Sequence, residues 1–510
     1  MPYRAAFYPG AWLCSLEPLL PVDLPLPRHT QPGVSLKVLV VIASYGRGND
    51  KYLERLLAEY RSMRHQIQIV VLSEAFKEVA PGVELAIGLP DRDPWSLPFA
   101  HKRIFAERLE QYDLFIYSED DTLITEATIH AFLRVNELLN ENEVPGFLRF
   151  ERGVDGKLNF PDVHGHFHWD PSSVCSRGMY AFARFTNEHS ACYMLTRAQL
   201  RAAIGSGGFL TGPHKGRYGL PETAATDAYT QCGLKKLVCI SHLEDFLVHH
   251  LPNKYVGSCF GVDEGALQRQ VRALLQILFN GRQAVSLFPA ESNVAGGRFS
   301  KSYYEPIRRE VISAIPAEAR SILSVGCGSG ETEGWLVRTG LRVVAVPLDT
   351  VIAGSAEAKG VEVLPADFSA AIDKLAGERF DCLLLLNVLH LLPDPGRVLS
   401  SFGARLVPGA PAIVSVPNLL QVPFLWRKIR GDEGYTHLGN YATSGAHVAT
   451  PGTIGEWFRC VGMRVEKMSY VMPHRSRVAN RFTLGIARRL LARELIGVGR
   501  AAGRCIGDQE

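Results

Sequence analysis

Apolar runs alternate with amphipathic segments along the first half of the chain. Leu36–Ser44 is almost continuously apolar, as in a strand buried on both faces of a parallel sheet. A helix should begin near Asp50, where apolar residues recur at helical spacing, and Ile67–Leu72 predicts a second strand. A further helix, Phe99–Leu109, leads into the apolar strand Asp113–Ser118. This alternation predicts a doubly wound α/β fold.

A second series of apolar runs, separated by helical patterns, begins near residue 321. It predicts a seven-stranded doubly wound sheet. The seven runs are Ser321–Val325, Leu341–Val346, Val361–Leu364, Phe380–Leu386, Ala412–Val416, Arg464–Tyr470 and Glu494–Arg500.

The two series imply two domains, since 510 residues exceed the size at which one core usually stops growing. We expect them at residues 35–280 and 301–510. Residues 281–300 lose periodicity and are expected to form a linker, followed by a helix over Tyr303–Ile315. The proline-rich stretch 1–34 predicts an extended arm.

Composition narrows the function classes. A net charge of +3, without basic runs interleaved with aromatic residues, argues against nucleic-acid binding. The ten cysteines are scattered, as expected for reduced thiols in the cytoplasm. No apolar run has the length of a membrane span, and the beginning of the sequence lacks a signal-peptide pattern. We therefore expect a soluble cytoplasmic protein.

The strand at Ser321–Val325 is followed by the glycine-rich sequence Gly326-Cys327-Gly328-Ser329-Gly330 and a predicted helix. Glycines allow a sharp turn and a close approach of a ligand to the backbone. The sequence V-G-C-G-S-G resembles motif I of class I S-adenosylmethionine-dependent methyltransferases. The resemblance implies that Gly326, Cys327, Gly328 and Gly330 contact S-adenosylmethionine.

The resemblance extends over about residues 300–500. The segment Phe380–Asp394 resembles the fourth strand of the family and the histidine-bearing segment after it, in the branch related to ubiquinone-biosynthesis methyltransferases. The resemblance implies that Asn387 binds the cofactor and that Asp367, after the third strand, contacts the adenine. It also implies that His390 is the base that deprotonates a hydroxyl acceptor. The alternative for His390 is a packing role.

Two positions depart from the family pattern. Ser324 stands where an acidic residue is usual, and Pro347 stands where a carboxylate usually accepts hydrogen bonds from the ribose hydroxyls. Asp349, two residues later, is the candidate to compensate for that loss. Without compensation, the domain would be a degenerate structural module.

An acidic triplet, Glu119-Asp120-Asp121, ends the strand at Asp113–Ser118. The two-residue spacing puts the first and third carboxylates on one side of an extended chain, where they can hold Mn²⁺ or Mg²⁺. A solvated helix start is the alternative. The triplet resembles the D-x-D motif of GT-A glycosyltransferases, with Glu119 where aspartate is usual.

The GT-A resemblance covers about residues 35–255 and implies a nucleotide-sugar donor. Asp227 or Glu222 would be the catalytic base, although either could instead cap a helix. His249 or His250 would join Glu119 and Asp121 as a metal ligand. The residues implied at the nucleotide-sugar are Ser44, Tyr45, Lys102, Arg103, Glu119 and Asp120.

Together the resemblances imply a bifunctional transferase of cell-surface glycan synthesis. It would glycosylate a saccharide or lipid-linked saccharide with metal assistance, and methylate a glycan hydroxyl. The alternatives are a glycosyltransferase with an inactive second domain, or a nucleotide-binding assembly module without turnover. The basic, apolar segment Asn480–Arg493 suits either peripheral contact with anionic lipid at the inner membrane face or an ordinary crossover helix.

Overall fold

The computed structural model describes residues 35–258, 260–432, 434–473 and 488–501. The chain divides into two compact units, residues 1–282 and 283–510, called here the first and second units. The predicted arm over 1–34 lies outside the described residues, as does most of the predicted basic helix Asn480–Arg493. None of the helices in the described ranges is both long and apolar enough to span a membrane.

The first unit contains strands and helices in the following order along the chain. They are β1 (Lys37–Ala43), α1 (Asp50–Ser62), β2 (Gln66–Ser73), β3 (Glu84–Ile87), α2 (Ala100–Glu107), β4 (Leu114–Glu119), β5 (Thr122–Leu123), α3 (Glu126–Asn136), β6 (Glu143–Pro145), β7 (Leu148–Arg152), β8 (Leu158–Phe160), β9 (Cys175–Arg177), β10 (Tyr180–Ala183), β11 (Cys192–Thr196), α4 (Arg197–Gly205), α5 (Leu220–Thr230), β12 (Lys235–Cys239), β13 (Leu247–His250), β14 (Val262–Asp263) and α6 (Glu264–Asn280).

The main sheet of the first unit has the strand order β11-β4-β1-β2-β3. Four strands are parallel, and β11 runs antiparallel to β4. Val38–Ile42 in β1 are fully buried, which explains their continuous apolar pattern. The helix predicted over Phe99–Leu109 is shorter, Ala100–Glu107, because a 3-10 turn at Pro94–Phe99 precedes it.

Two smaller sheets complete the first unit, with strand orders β6-β12-β10-β9 and β14-β8-β7-β13-β5. In the second of these, β13 pairs with both β5 and β7. This pairing places His250 opposite Thr122, the residue that follows the acidic triplet. The carboxyl end of β4 therefore lies beside the end of β13.

The second unit contains the remaining elements. They are α7 (Arg309–Ile312), β15 (Ser321–Cys327), α8 (Glu331–Arg338), β16 (Arg342–Pro347), α9 (Ala353–Glu357), β17 (Glu362–Val363), α10 (Phe368–Lys374), β18 (Cys382–Leu386), α11 (Pro395–Gly403), β19 (Pro411–Pro417), α12 (Val422–Ile429), α13 (Tyr441–Ser444), α14 (Pro451–Cys460), β20 (Met463–Val471), α15 (Arg488–Leu491) and β21 (Glu494–Ala501).

One seven-stranded sheet organises the second unit, with the order β17-β16-β15-β18-β19-β21-β20. Only β21 runs against its neighbours, pairing antiparallel with β19 and β20. All seven predicted strands are present. The carboxyl ends of β15, β16 and β18 meet at one edge of the sheet, where open α/β sheets bind ligands.

Residues 283–300, for which the sequence predicts a linker, pack within the second unit. Leu287, Phe288 and Val294 are buried, and Leu287 N donates a hydrogen bond to Leu348 O over 2.8 Å. The helix predicted over Tyr303–Ile315 is reduced to Arg309–Ile312. Pro306 disfavours helix in the residue before it, and residues 301–308 form an irregular segment whose Tyr303 carbonyl contacts the glycine loop.

Candidate functional site

The glycine loop of the second unit lies at the end of β15. Gly326 and Gly330 have φ of +79° and +76°, in the left-handed region that favours glycine. A Cβ atom on Gly328 would clash with the carbonyl oxygen of Tyr303, and Ser329 N donates to that oxygen over 2.7 Å. The sequence predicts that a cofactor excludes a side chain at Gly328, but in the structure the backbone of Tyr303 already excludes it.

Glu333 lies next to Ser324, the position at which the family usually has an acidic residue. Ser324 Oγ donates to Glu333 Oε1 over 2.7 Å, and both residues are buried. Glu333 belongs to the first turn of α8, which begins directly after the loop. The helix thus brings a carboxylate next to Ser324, which sequence reasoning missed because the residue lies nine positions further along.

A pocket at the loop is lined by Lys301, Glu305, Gly326, Gly328 and Glu333, among others. Lys301 Nζ lies 2.8 Å from Glu305 Oε2 and donates to Leu386 O over 2.8 Å. Burial opposes ionisation of Glu305, but the charges of Lys301 and Arg308 hold its pKa below the ordinary value. The pocket therefore contains a buried cation and a partly buried anion side by side.

Two non-glycine residues near this pocket have left-handed backbones. Asn387, which follows β18, has φ of +54°, and its Nδ2 donates to Glu305 Oε1 over 3.0 Å. Phe299 has φ of +72°. A left-handed conformation is costly for a bulky residue, and such strain concentrates at functional sites.

His390 is fully buried, and its Nε2 donates to Phe299 O over 2.7 Å. Burial lowers the pKa of His390 to about 4, so the ring is neutral at physiological pH. With the ring proton on Nε2, the lone pair is on Nδ1. In the described part of the chain, this atom has no hydrogen-bond partner.

Asp349 and Asp367 differ in their availability to a ligand. Asp349 is 1% exposed, and its Oδ1 accepts from Val351 N and Ile352 N, both over 2.7 Å. This carboxylate oxygen stabilises a turn, and the ribose role of Asp349 stays a prediction. Asp367 is exposed and caps α10 through Oδ1 alone. Cys327 is buried beside the loop.

In the first unit, Asp120 is held by the turn after β1. Ser44 Oγ donates to Asp120 Oδ2 over 2.6 Å, and Asn49 Nδ2 donates to Oδ1 over 2.7 Å. Lys77 Nζ donates to Ser44 Oγ over 2.7 Å. Burial raises the pKa of Asp120 to about 6. Tyr45 is 53% exposed beside this network.

Asp121 lies next to His250, which is oriented by a third group. His250 Nε2 is 3.5 Å from Asp121 Oδ2, and His250 Nδ1 is 2.6 Å from Glu151 Oε1. Glu151 is fully buried. A carboxylate that accepts the Nδ1 proton leaves Nε2 free to bind a cation, as is usual around metal-binding histidines.

His249 does not join this group. Its ring stacks on Phe150 at a centroid distance of 4.7 Å, and its Nε2 lies 3.1 Å from Asn253 Oδ1. Successive side chains of a strand point to opposite faces, so only one of the two histidines can face Asp121. His250 is therefore the histidine of this pair that lies beside Asp121.

Glu119 is partly buried and feels the charge of Arg149, a residue that sequence reasoning missed. Burial and the charge of Asp121 raise the pKa of Glu119, whereas Arg149 lowers it. Arg149 forms a buried ion pair with Asp162 over 2.7 Å. The charge of Glu222, in the first turn of α5, also acts on Glu119.

The four predicted metal ligands do not converge on one point. Within the described ranges, the only three potential ligands whose atoms all lie within 4.8 Å of one another are His65, Glu126 and His130. Glu119, Asp121, His249 and His250 form no such group. Only the Asp121–His250 pair of the predicted set is assembled.

Lys102 and Asp227, predicted to contact the donor and to act as the base, form a buried ion pair with each other. Asp227 is 0% exposed, and His214 Nε2 lies 3.4 Å from its Oδ1. The ammonium of Lys102 is therefore paired inside the first unit. Arg103 is exposed and pairs with Glu107 on the same helix.

Residues 299–467 match the family model described as a methyltransferase domain. A ubiquinone biosynthesis O-methyltransferase of Xylella fastidiosa (strain 9a5c) is 27% identical over 174 residues, covering 32% of this chain and 69% of that protein. The protein of the same name from Xanthomonas axonopodis pv. citri is 27% identical over 185 residues, covering 34% and 75%.

Among solved structures, an S-adenosylmethionine-dependent methyltransferase from Mesorhizobium loti is 20% identical, with a TM-score of 0.29, covering 38% of this chain and 96% of that chain. The family model and the two relatives show that the second unit contains a class I S-adenosylmethionine-dependent methyltransferase domain.

Proposed function

We propose that the second unit transfers the methyl group of S-adenosylmethionine to a hydroxyl oxygen of its acceptor. The observation that carries this proposal is the pocket in which the glycine loop meets the Lys301–Glu305 ion pair, inside the matched region. Both curated relatives described above are named as O-methyltransferases, which favours oxygen as the accepting atom.

The residues of this pocket fit the cofactor. The methionine part of S-adenosylmethionine carries an ammonium and a carboxylate, and the pocket offers the opposite charges of Glu305 and Lys301. Asp367 has one carboxylate oxygen outside its capping bond, which suits an amine donor such as that of adenine. When bound, the cofactor supplies an activated methyl group, and the protein binds and orients the reactants.

His390 is the candidate base of this proposal. Its hydrogen bond to Phe299 O fixes the tautomer, so Nδ1 would accept the proton of the acceptor hydroxyl. Because the ring is fully buried, acceptor binding has to open a path to this atom. A neutral ring is the form that can accept a proton.

The proposed cofactor site can be tested with a matched pair of variants. Glu305→Gln preserves the shape of the side chain but removes the charge, so it should weaken S-adenosylmethionine binding at least tenfold in calorimetry. Glu310→Gln, at an exposed position in the same segment, is the control and should bind like wild type. Equal affinities of the two variants would contradict the placement of the methionine group.

A second candidate function belongs to the first unit: metal-assisted transfer of a sugar from a nucleotide-sugar to a saccharide or lipid-linked saccharide. The observation that favours it is the acidic end of β4, bordered by the Ser44–Asn49–Asp120 network and the Asp121–His250 pair. Asp121 and His250 are the side chains that would hold Mn²⁺ or Mg²⁺, together with oxygens of the donor diphosphate.

In this proposal the two activities act on one glycan, whose hydroxyl the second unit methylates. Glu222, near Glu119, is the remaining candidate base for sugar transfer because Asp227 is enclosed. A thermal-shift screen of UDP-, GDP-, dTDP- and CMP-sugars with Mn²⁺ tests donor binding, because a bound ligand raises apparent stability.

Asp121→Asn should abolish the donor-induced shift, and Asp155→Asn, at an exposed loop position, should leave it unchanged. If no nucleotide-sugar shifts the wild-type protein in the presence of Mn²⁺, the sugar-transfer proposal falls. The methylation proposal would not be affected.

A further inference from the structure

Three side chains that neither proposed activity uses meet beside α3. His65 lies in the turn before β2, and Glu126 and His130 are four residues apart on α3. That spacing puts Glu126 and His130 on one helix face. One ligand atom from each of the three lies within 4.8 Å of the others, and the two histidine rings are 5.4 Å apart at an angle of 86°.

The surrounding contacts hold these groups in place. Arg64 N donates to Glu126 Oε1 over 2.8 Å, which anchors the carboxylate next to His65 and leaves Oε2 for another partner. His65 Nε2 is shielded from solvent and has no hydrogen-bond partner among the residues that the structure describes. Buried polar atoms are normally paired, so an unpaired nitrogen at such a point of convergence calls for a ligand.

We propose that His65, Glu126 and His130 bind a divalent transition-metal ion of the Zn²⁺ class. Two imidazole nitrogens and one carboxylate oxygen are a usual ligand set for Zn²⁺, whereas Mg²⁺ and Ca²⁺ prefer oxygen ligands alone. Three protein ligands leave a coordination position for water. The ion would join the start of β2 to the first turns of α3.

Binding changes the tautomer of His65. Leu36 N lies 3.4 Å from Nδ1, a hydrogen bond longer than usual that places the ring proton on Nε2. A metal on Nε2 requires the proton on Nδ1, so the proton moves between the two nitrogens through water and the contact with Leu36 N is given up. The ring remains neutral, and this step releases no net proton.

The test measures metal equivalents on the full chain by equilibrium dialysis with Zn²⁺, and the visible spectrum with Co²⁺. The wild type should bind one equivalent that His130→Ala loses. His437→Ala, at an exposed position in the second unit, is the matched control and should keep it. Asp121→Asn should also keep this equivalent, because the proposed donor site is elsewhere.

Glu126→Gln covers the case in which the alanine variant folds poorly, since glutamine can still accept from Arg64 N. It should weaken Zn²⁺ binding at least tenfold without changing the circular dichroism spectrum. Zn²⁺ should also raise the melting temperature of the wild type and not that of His130→Ala. Equal Zn²⁺ equivalents in wild type and His130→Ala, or loss of the equivalent in Asp121→Asn, would overturn the proposal.

Discussion

At the scale of single residues, the cofactor loop of the second unit shows how a departure from a family pattern is compensated locally. Ser324 replaces a usual acid, and Glu333 from the next helix brings its carboxylate to Ser324 Oγ at 2.7 Å. No comparable replacement is visible at Pro347, because Asp349 is engaged by backbone N–H groups.

Restoring the family residue at Ser324 should harm the protein. Ser324→Asp would bury a second carboxylate against Glu333, which should lower the free energy of unfolding of the second unit by about 1–3 kcal/mol. Urea unfolding measures this loss. Adding Glu333→Gln to Ser324→Asp should recover most of it, and a stable Ser324→Asp single variant would show that the two side chains do not meet.

The burial of His390 predicts a pH dependence of stability. Its pKa is lowered from 6.5 to about 4 in the folded state, so the unfolded state binds more protons between these values. The associated stability is present above pH 6.5 and is lost as the pH falls toward 4, by up to about 3 kcal/mol.

Denaturant titrations of the wild type and of His390→Gln at a series of pH values isolate this contribution. Glutamine can still donate to Phe299 O but does not titrate. The wild type should lose more stability than His390→Gln between pH 7.5 and 4.5. Parallel profiles would mean that His390 is not buried as a neutral ring.

At the scale of elements, strands were predictable and ion pairs were not. The continuous apolar run in β18, Cys382–Leu386, is typical of a strand buried on both faces. It can be recognised without knowledge of the tertiary structure. The pairing of Lys102 with Asp227 joins α2 to α5 across 125 positions, and no local pattern encodes it. The sequence therefore located the acidic end of β4 but did not reveal that Lys102 and Asp227 pair with each other.

The same reasoning explains the histidine choice. Proximity in sequence made His249 and His250 equivalent candidates, and only the register of β13 against β5 decides between them. Likewise, residues 281–300 lack periodicity, which predicts a linker. The isolated apolar residues of this segment are nevertheless buried in the second unit. Burial of irregular segments leaves no periodic signal in the sequence.

Removing only one partner of the Lys102–Asp227 ion pair should lower the free energy of unfolding of the first unit. Asp227→Ala leaves a buried, unpaired ammonium and should cost the first unit about 3–5 kcal/mol in chemical unfolding. The double variant Lys102→Met with Asp227→Leu should cost clearly less. Arg103→Met on the same helix, where the side chain is exposed, should change stability by about 0.5 kcal/mol at most.

At the scale of the whole molecule, the chain divides into two units between Arg282 and Gln283. The second unit needs the residues just after this point. Its buried apolar side chains from residues 283–300 are Leu287, Phe288, Ala290, Val294 and Phe299. A fragment of residues 283–510 should therefore melt cooperatively.

A fragment of residues 301–510, cut where the sequence predicts the domain to begin, should fail to melt cooperatively. It lacks several large buried side chains, each worth about 2–5 kcal/mol on truncation in a core. It also lacks the Phe299 carbonyl oxygen that accepts the hydrogen bond from His390 Nε2. Identical melting curves of the two fragments would show that residues 283–300 are dispensable.

The central claim is that the second unit binds and uses S-adenosylmethionine, and calorimetric titration of the full chain tests it most directly. We expect one equivalent of S-adenosylmethionine to bind, S-adenosylhomocysteine to compete for the same site, and Glu305→Gln to weaken both. The absence of binding heat and of any thermal shift with either ligand at millimolar concentration would contradict the account.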